Sequence, residues 1–194
     1  MAIYLSNLMT NGALVRQGNQ EGWRESVTGV VFIPSGTTIA DNSQLKIGRF
    51  ATNLNIEEIL VRSPDLDSST GLSMSIGYAR PTVNPALALD STTNPAVTGA
   101  VASDSLAFYS ATATTPWQAG GVYRIILAQN VDNEFANNPT NGVDGIIDLC
   151  LVATEPATGA TAADGYVYVT VYFTGKTAVP GTLTYNYEAP YPEV

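Results

Sequence analysis

The sequence predicts an all-β protein: an antiparallel jelly-roll-like sandwich of about eight strands with an extended N-terminal arm and a long surface loop. Three observations predict it. Apolar residues alternate at period two in short segments. Turn-forming residues separate those segments at recurring intervals. No stretch shows the 3.6-residue periodicity of an amphipathic helix of ordinary length. The 194 residues, 45% of them hydrophobic, suffice for one core that removes roughly 70% of the unfolded surface from water. A single domain over residues 26–194 is expected.

The clearest strand is 166–174, where Val167, Val169, Val171 and Phe173 alternate with Tyr166, Tyr168, Thr170, Tyr172 and Thr174. One face is core and the other polar and aromatic. Similar runs occur at 27–33, 45–50, 56–62, 72–78, 122–128, 146–152 and 182–187. Between them stand Pro34-Ser35-Gly36, Asp41-Asn42-Ser43, Ser63-Pro64-Asp65, Gly120-Gly121, Asn141-Gly142, Gly175-Lys176 and Pro180-Gly181, all turn chemistry. A short helix is expected at 103–112, with Ser103 or Asp104 capping Leu106, Ala107, Phe108 and Tyr109.

Three regions lack a core pattern. Residues 81–102 are rich in Pro, Thr, Ala and Asn without a period, and read as a long exposed loop. Residues 1–25 are aperiodic but carry Ile3, Tyr4, Leu5, Leu8, Leu14 and Trp23, apolar points that need cover. They read as an arm that orders on a neighbour. At the end, residues 185–194 form a proline-broken tail in which Tyr191 stands between two prolines and leans toward a contact outside the domain.

Charge and chemistry narrow the function. The net charge of -9 argues against coating nucleic acid, whose phosphates need clustered Lys and Arg. Residues 1–50 nevertheless hold Arg16, Arg24, Lys46 and Arg49 against three acids, a segment able to rest on an acidic partner. With no histidine in the chain, the usual Ser/His, Cys/His and His-metal sites are absent. The single cysteine, Cys150, lies in an apolar run and has no partner for an intrachain disulfide, which suits a reducing cytosol. The N-terminus lacks a basic region followed by a long apolar one, and no stretch approaches the roughly 20 apolar residues that span a bilayer. A soluble, unexported protein is expected, with no membrane partner.

Each candidate site falls short of its chemistry. Glu57 and Glu58, beside Asp65 and Asp67, suggest the paired carboxylates of glycoside hydrolysis, but adjacent residues of a regular strand face opposite ways. A solvated strand edge is the simpler expectation. Asp65-Leu66-Asp67-Ser68-Ser69-Thr70-Gly71 begins like a calcium loop, then places Gly one position late and Ile76 where a bidentate Glu belongs. Asp132, Glu134, Asn137, Asn138, Asn141 and Asp144 form a second oxygen-rich cluster of ordinary turn residues. Gly71-Leu72-Ser73-Met74-Ser75 misses the last glycine of a nucleophile elbow. Trp23 and Trp117 are too scattered for a carbohydrate platform, though either could anchor an interface. No catalytic residue, metal or cofactor is expected.

One stretch resembles a known family. The segment Val31-Phe32-Ile33-Pro34-Ser35-Gly36-Thr37-Thr38-Ile39-Ala40-Asp41-Asn42-Ser43-Gln44-Leu45-Lys46-Ile47 resembles the head decoration, or cement, proteins of tailed bacteriophages. In that family an "IP-x-GT" turn leads to a "D-x-x-x-L-K-(I/L)" strand. The similarity covers roughly residues 28–78, with Asp104-Ser105-Leu106-Ala107-Phe108 continuing it. It implies a jelly-roll-like virion protein, often a homotrimer, that assembles in the host cytoplasm. There it binds the outer surface of an icosahedral capsid and staples neighbouring copies of the phage major capsid protein. It implies no catalytic residues. On that reading Ile3, Tyr4, Leu5, Leu8, Arg16, Trp23 and Tyr191 are the candidate capsid or inter-subunit contacts. Deleting residues 2–15 should then leave the β-core folded and abolish capsid binding. The alternative is a tail-fibre or surface-adhesin domain that binds host glycan through exposed tyrosines and the 81–102 loop. A hydrolase using carboxylates alone is the third reading.

Overall fold

The structure, a computed structural model, describes residues 2–12, 14–15, 24–51, 54–69, 71–79, 104–109, 117–126 and 146–175. Its elements in chain order are β1 (Ile3–Leu5), α1 (Asn7–Thr10), β2 (Leu14–Val15), β3 (Glu25–Ile33), β4 (Gln44–Ala51), β5 (Leu54–Ser63), β6 (Ser73–Ala79), β7 (Asp104–Tyr109), β8 (Gly121–Ile126), β9 (Ile146–Glu155) and β10 (Gly165–Gly175). The expected loop at 81–102, the strand at 182–187 and the tail at 185–194 lie outside the described residues.

Sheet A runs β1-β4-β9-β6-β7, with β2 also on β4, and sheet B runs β3-β10-β5-β8. Counting from β3, sheet B holds the first, eighth, third and sixth strands, and sheet A the second, seventh, fourth and fifth. That is the strand order of an eight-stranded jelly roll. The period-two pattern explains the layers. Val167, Val169 and Val171 of β10 are fully buried, as are Leu149 and Leu151 of β9, and these inward rows meet between the sheets. The two backbones approach closely where β3 passes β4. A Cβ on Gly29 would lie 2.6 Å from the Ile47 carbonyl oxygen, so only glycine fits there.

Two features differ from expectation. The helix expected at 103–112 is strand β7, paired antiparallel with β6 through Ile76 with Tyr109 and Tyr78 with Asp104. An isolated helix that short gains little from its own hydrogen bonds, whereas the ladder with β6 supplies partners from outside the segment.

Residues 3–12 and 14–15, expected in the N-terminal arm, lie beside β4 of the same chain, with β1 and β2 parallel along its edge. Strand β1 pairs with Gln44–Lys46 and β2 with Arg49 and Phe50. Between them β4 bulges at Ile47, where the register on β9 shifts, and the single turn α1 spans the irregularity. Ser6 joins the pieces. Its hydroxyl donates to the Ile47 carbonyl and accepts the Met9 N–H at 3.2 Å, capping α1. Next to it, Asn7 Oδ1 accepts the Val30 N–H of edge strand β3 at 2.8 Å. Ser6 and Met9 are buried, so removing residues 2–15 would strip two strands and core contacts from the domain itself.

Candidate interaction surface

The outward faces of the two sheets differ. On sheet A that face is buried and polar: Gln44, Lys46, Ser75, Asp148 and Cys150 are almost entirely shielded from solvent. Arg49 clasps Asp148 with two bonds, Nε to Oδ1 at 2.8 Å and Nη2 to Oδ2 at 3.3 Å. Burial pushes the Lys46 amine down while the Asp148 charge draws it back up. Burial also drives the Cys150 thiol up to about 12, leaving almost no thiolate at neutral pH. Cys150 should therefore resist iodoacetamide in the folded protein at about pH 8 and react within minutes in denaturant, when burial no longer suppresses the thiolate. Peptide mass spectrometry of the two samples checks this; equal labelling would contradict it.

Sheet B presents the opposite. Phe32, Val122, Ile126, Tyr166 and Tyr168, the exposed large hydrophobic residues among those described, all lie on its outward face, with 39% to 72% of their surface in solvent. Register places them together. Phe32 is opposite Tyr166, and Val30, Tyr168, Arg62 and Val122 form one row across four strands. The Phe32 and Tyr166 rings are 5.1 Å apart between centroids, and Tyr166 and Tyr168 are 6.3 Å apart. In the next row Thr28 and Thr170 share a hydroxyl hydrogen bond of 2.8 Å. An apolar patch gathered on one face marks a contact surface more strongly than the same residues scattered.

The lower end of this face is held by a charge cluster that sequence reasoning misread. Strand β5 lies inside sheet B, not at an edge, and Glu58 is 6% exposed. Arg124 donates to both its oxygens, Nε to Oε1 at 2.5 Å and Nη2 to Oε2 at 2.8 Å, and Arg24 Nη2 reaches Oε2 at 2.6 Å. Arg24 also lies 3.3 Å from Glu57 and 4.6 Å from the centre of the Tyr172 ring. Two adjacent glutamates meet one arginine because β5 bulges there. Tyr172 pairs with Glu58 and Phe173 with Ile56, leaving Glu57 as the extra residue. Arg124 above all, helped by Arg24, holds the Glu58 carboxyl down at about 2 against the opposing effect of burial. Both glutamates are thus engaged as structural anions, with Thr174 Oγ1 on Glu57 at 3.0 Å.

The fold is similar to that of a chain in the solved capsid of Ralstonia phage GP4, with a TM-score of 0.59 over 91% of this chain and 100% of that chain, at 16% sequence identity. This is a fold found in a phage capsid. A chain of the cyanophage Pam1 capsid asymmetric unit is also similar at 16% identity, over 84% of this chain and 92% of that chain, with a TM-score of 0.42. No protein-family model matches the sequence, and no curated protein matches it significantly.

Of the contact residues read from the sequence, Ile3, Tyr4, Leu5 and Leu8 lie on the adjoining elements β1 and α1. Ile3, Tyr4 and Leu5 form β1 and are half-buried against their own sheet, where burial raises the Tyr4 hydroxyl pKa. Leu8 is half-buried on α1, while Arg16, Trp23 and Tyr191 lie outside the described residues. Trp117, a candidate anchor, is fully buried core. The face of sheet B went unread because its aromatics come from β3 and β10, far apart in sequence, although the alternating tyrosines of 166–172 were its visible half.

The calcium-like loop has the wrong polarity for a cation. Asp67 is fully buried and accepts five backbone N–H groups: Ser69 and Gly159 on Oδ1, at 3.1 and 2.6 Å, and Gly71, Leu72 and Thr158 on Oδ2, at 2.8, 2.8 and 3.2 Å. Asp65 Oδ1 accepts the Asp67 N–H at 3.0 Å. Carboxylates already filled by donors tie loops together rather than coordinate metal. Among the described residues, no group of acidic or sulfur side chains could hold a metal ion, and no helix is long and apolar enough to cross a membrane.

Proposed function

We propose that this chain is a virion structural protein, a decoration or cement protein that binds the outer surface of an icosahedral phage capsid and stabilises it. The observation that carries the reading is the likeness in fold, over 91% of this chain, to a chain of a phage capsid, joined to a sheet face whose apolar side chains are left in solvent. Its partner is the phage major capsid protein, it acts as a homotrimer, and it touches neither nucleic acid nor membrane. Assembly takes place in the host cytoplasm, where a lone buried thiol needs no oxidising compartment.

Such a protein works by repetition. A contact of about 800 Å² per partner is enough for specificity, and a trimer engaged at several points multiplies its hold through effective concentration. The test is the molar ratio of this chain to the most abundant shell protein in purified particles, by quantitative mass spectrometry. The expected result is about one copy for every one to three shell subunits, the stoichiometry of a symmetric coat. A ratio below about one in twenty would indicate a tail or fibre component restricted to few symmetry positions, and absence from particles would overturn the virion role.

A further inference from the structure

We propose that the outward face of sheet B is a contact surface between copies of this chain, each seated against acidic turns of the next. The inference deepens the oligomeric part of the proposed function and rests on it for its biological setting, but its chemistry stands on this chain alone. The other outward face, on sheet A, is already buried, so sheet B offers the open apolar surface among the described residues.

Charge selects the occupant. The face carries Arg24, Arg62 and Arg124 against Glu57 and Glu58, a net of one positive charge; the rest of the sequence then holds five basic residues against fifteen acidic ones. Arg24 and Arg124 are engaged by the glutamates, whereas Arg62, exposed between Tyr168 and Val122, makes no ion pair among the described residues. Exposed acids of the same chain, Asp41 and Asp164 on turns and Glu155 at the end of β9, stand at one end of the sandwich. Those turns are tied to one another by Ser35 N–H to Asp164 at 2.7 Å, Gly36 N–H to the Thr161 carbonyl at 2.8 Å and Asn42 N–H to the Ala153 carbonyl at 2.9 Å. Two copies face to face would bring one net positive face against another. The face complements instead the acidic end of a neighbour. A contact between two different patches is heterologous and, repeated, forms a ring where its rotation closes and an open filament where it does not. The aromatic rings supply the desolvated centre and Arg62 the charged register.

The test uses the full chain, with sedimentation velocity and light scattering on the wild type, Arg62→Glu and Tyr168→Ser. Both positions are solvent-facing, and a thermal melt confirms that each variant folds. The wild type should associate at low salt and dissociate progressively as salt rises. Each variant should raise the dissociation constant by about tenfold or more. A wild type that stays monomeric, or an oligomer that neither substitution weakens, overturns the proposal. So does a monomer whose capsid binding is lost in Arg62→Glu, since the face would then seat on the shell. The copy ratio in particles is a separate readout, so failure of this interface and failure of the capsid role are told apart.

Discussion

Asp67→Ala is expected to cost about 3–5 kcal/mol of folding stability, read as a lower urea midpoint at unchanged slope. The carboxylate accepts five backbone N–H groups from two separate loops, three within 69–72 and two from Thr158 and Gly159. Each buried donor left without an acceptor costs about 1–3 kcal/mol, and partial entry of water keeps the total below the simple sum. Asp67→Asn should be nearly as damaging. An amide nitrogen placed at either oxygen position would point its own hydrogens at N–H donors.

The acid dependence has a definite sign. Burial alone raises the Asp67 pKa, but the N–H groups of Leu72, Ser69, Gly159 and Thr158 outweigh it and hold the carboxyl below its ordinary value. The unfolded chain therefore binds the proton first. The stabilisation is fully present above the unfolded pKa of about 3.9 and is lost as pH falls through the depressed folded value. The gap between wild type and Asp67→Ala should accordingly shrink from neutral pH toward strong acid. A gap that stays constant would mean the carboxylate charge contributes nothing. Glu58, held at about 2 by Arg124 and Arg24, acts in the same direction over the same range.

How much of this was legible depends on the range of the interaction. Strand β10 was readable because its alternation is local and both its faces are regular, and β4, β5 and β9 followed within a few residues for the same reason. The bulge in β5 left a trace as well: Leu54 and Ile56 set one phase of burial, Ile59 and Val61 the other, and the slip between them falls at Glu57. That slip is what defeats the rule that adjacent residues face apart. Strand β1 left no such trace. Its pairing is parallel to a strand some forty positions away, and Ile3-Tyr4-Leu5 is too short to show a period. Glu58 was misplaced for a similar reason. Its burial depends on Arg24 and Arg124, which reach it from sequence separations of 34 and 66 residues. Sheet order is likewise a product of long-range pairing, so the strands could be counted but not arranged.

Trp117→Ala is the second large effect, expected at about 3–5 kcal/mol. Trp117 heads the fully buried side chains by volume, and truncation to a methyl group leaves a cavity that the two sheets cannot fill without moving. Trp117→Phe is expected to cost much less, because the phenyl ring refills most of the cavity, and no hydrogen bond is lost since the indole Nε1 has no partner among the described residues. Losing that N–H removes an unsatisfied donor and offsets part of the lost packing. The other ties of the segment survive either change: the Trp117 carbonyl accepts the Leu66 N–H at 2.9 Å, and the Gln118 side-chain Nε2 donates to the Leu72 carbonyl at 3.0 Å. Urea denaturation of the two variants checks this, and equal losses would show that the phenyl ring does not refill the site. The pair also distinguishes core from surface. Trp117→Phe should leave self-association unchanged while shifting the unfolding midpoint, and Arg62→Glu should do the reverse, because the first lies between the sheets and the second on the open face of sheet B.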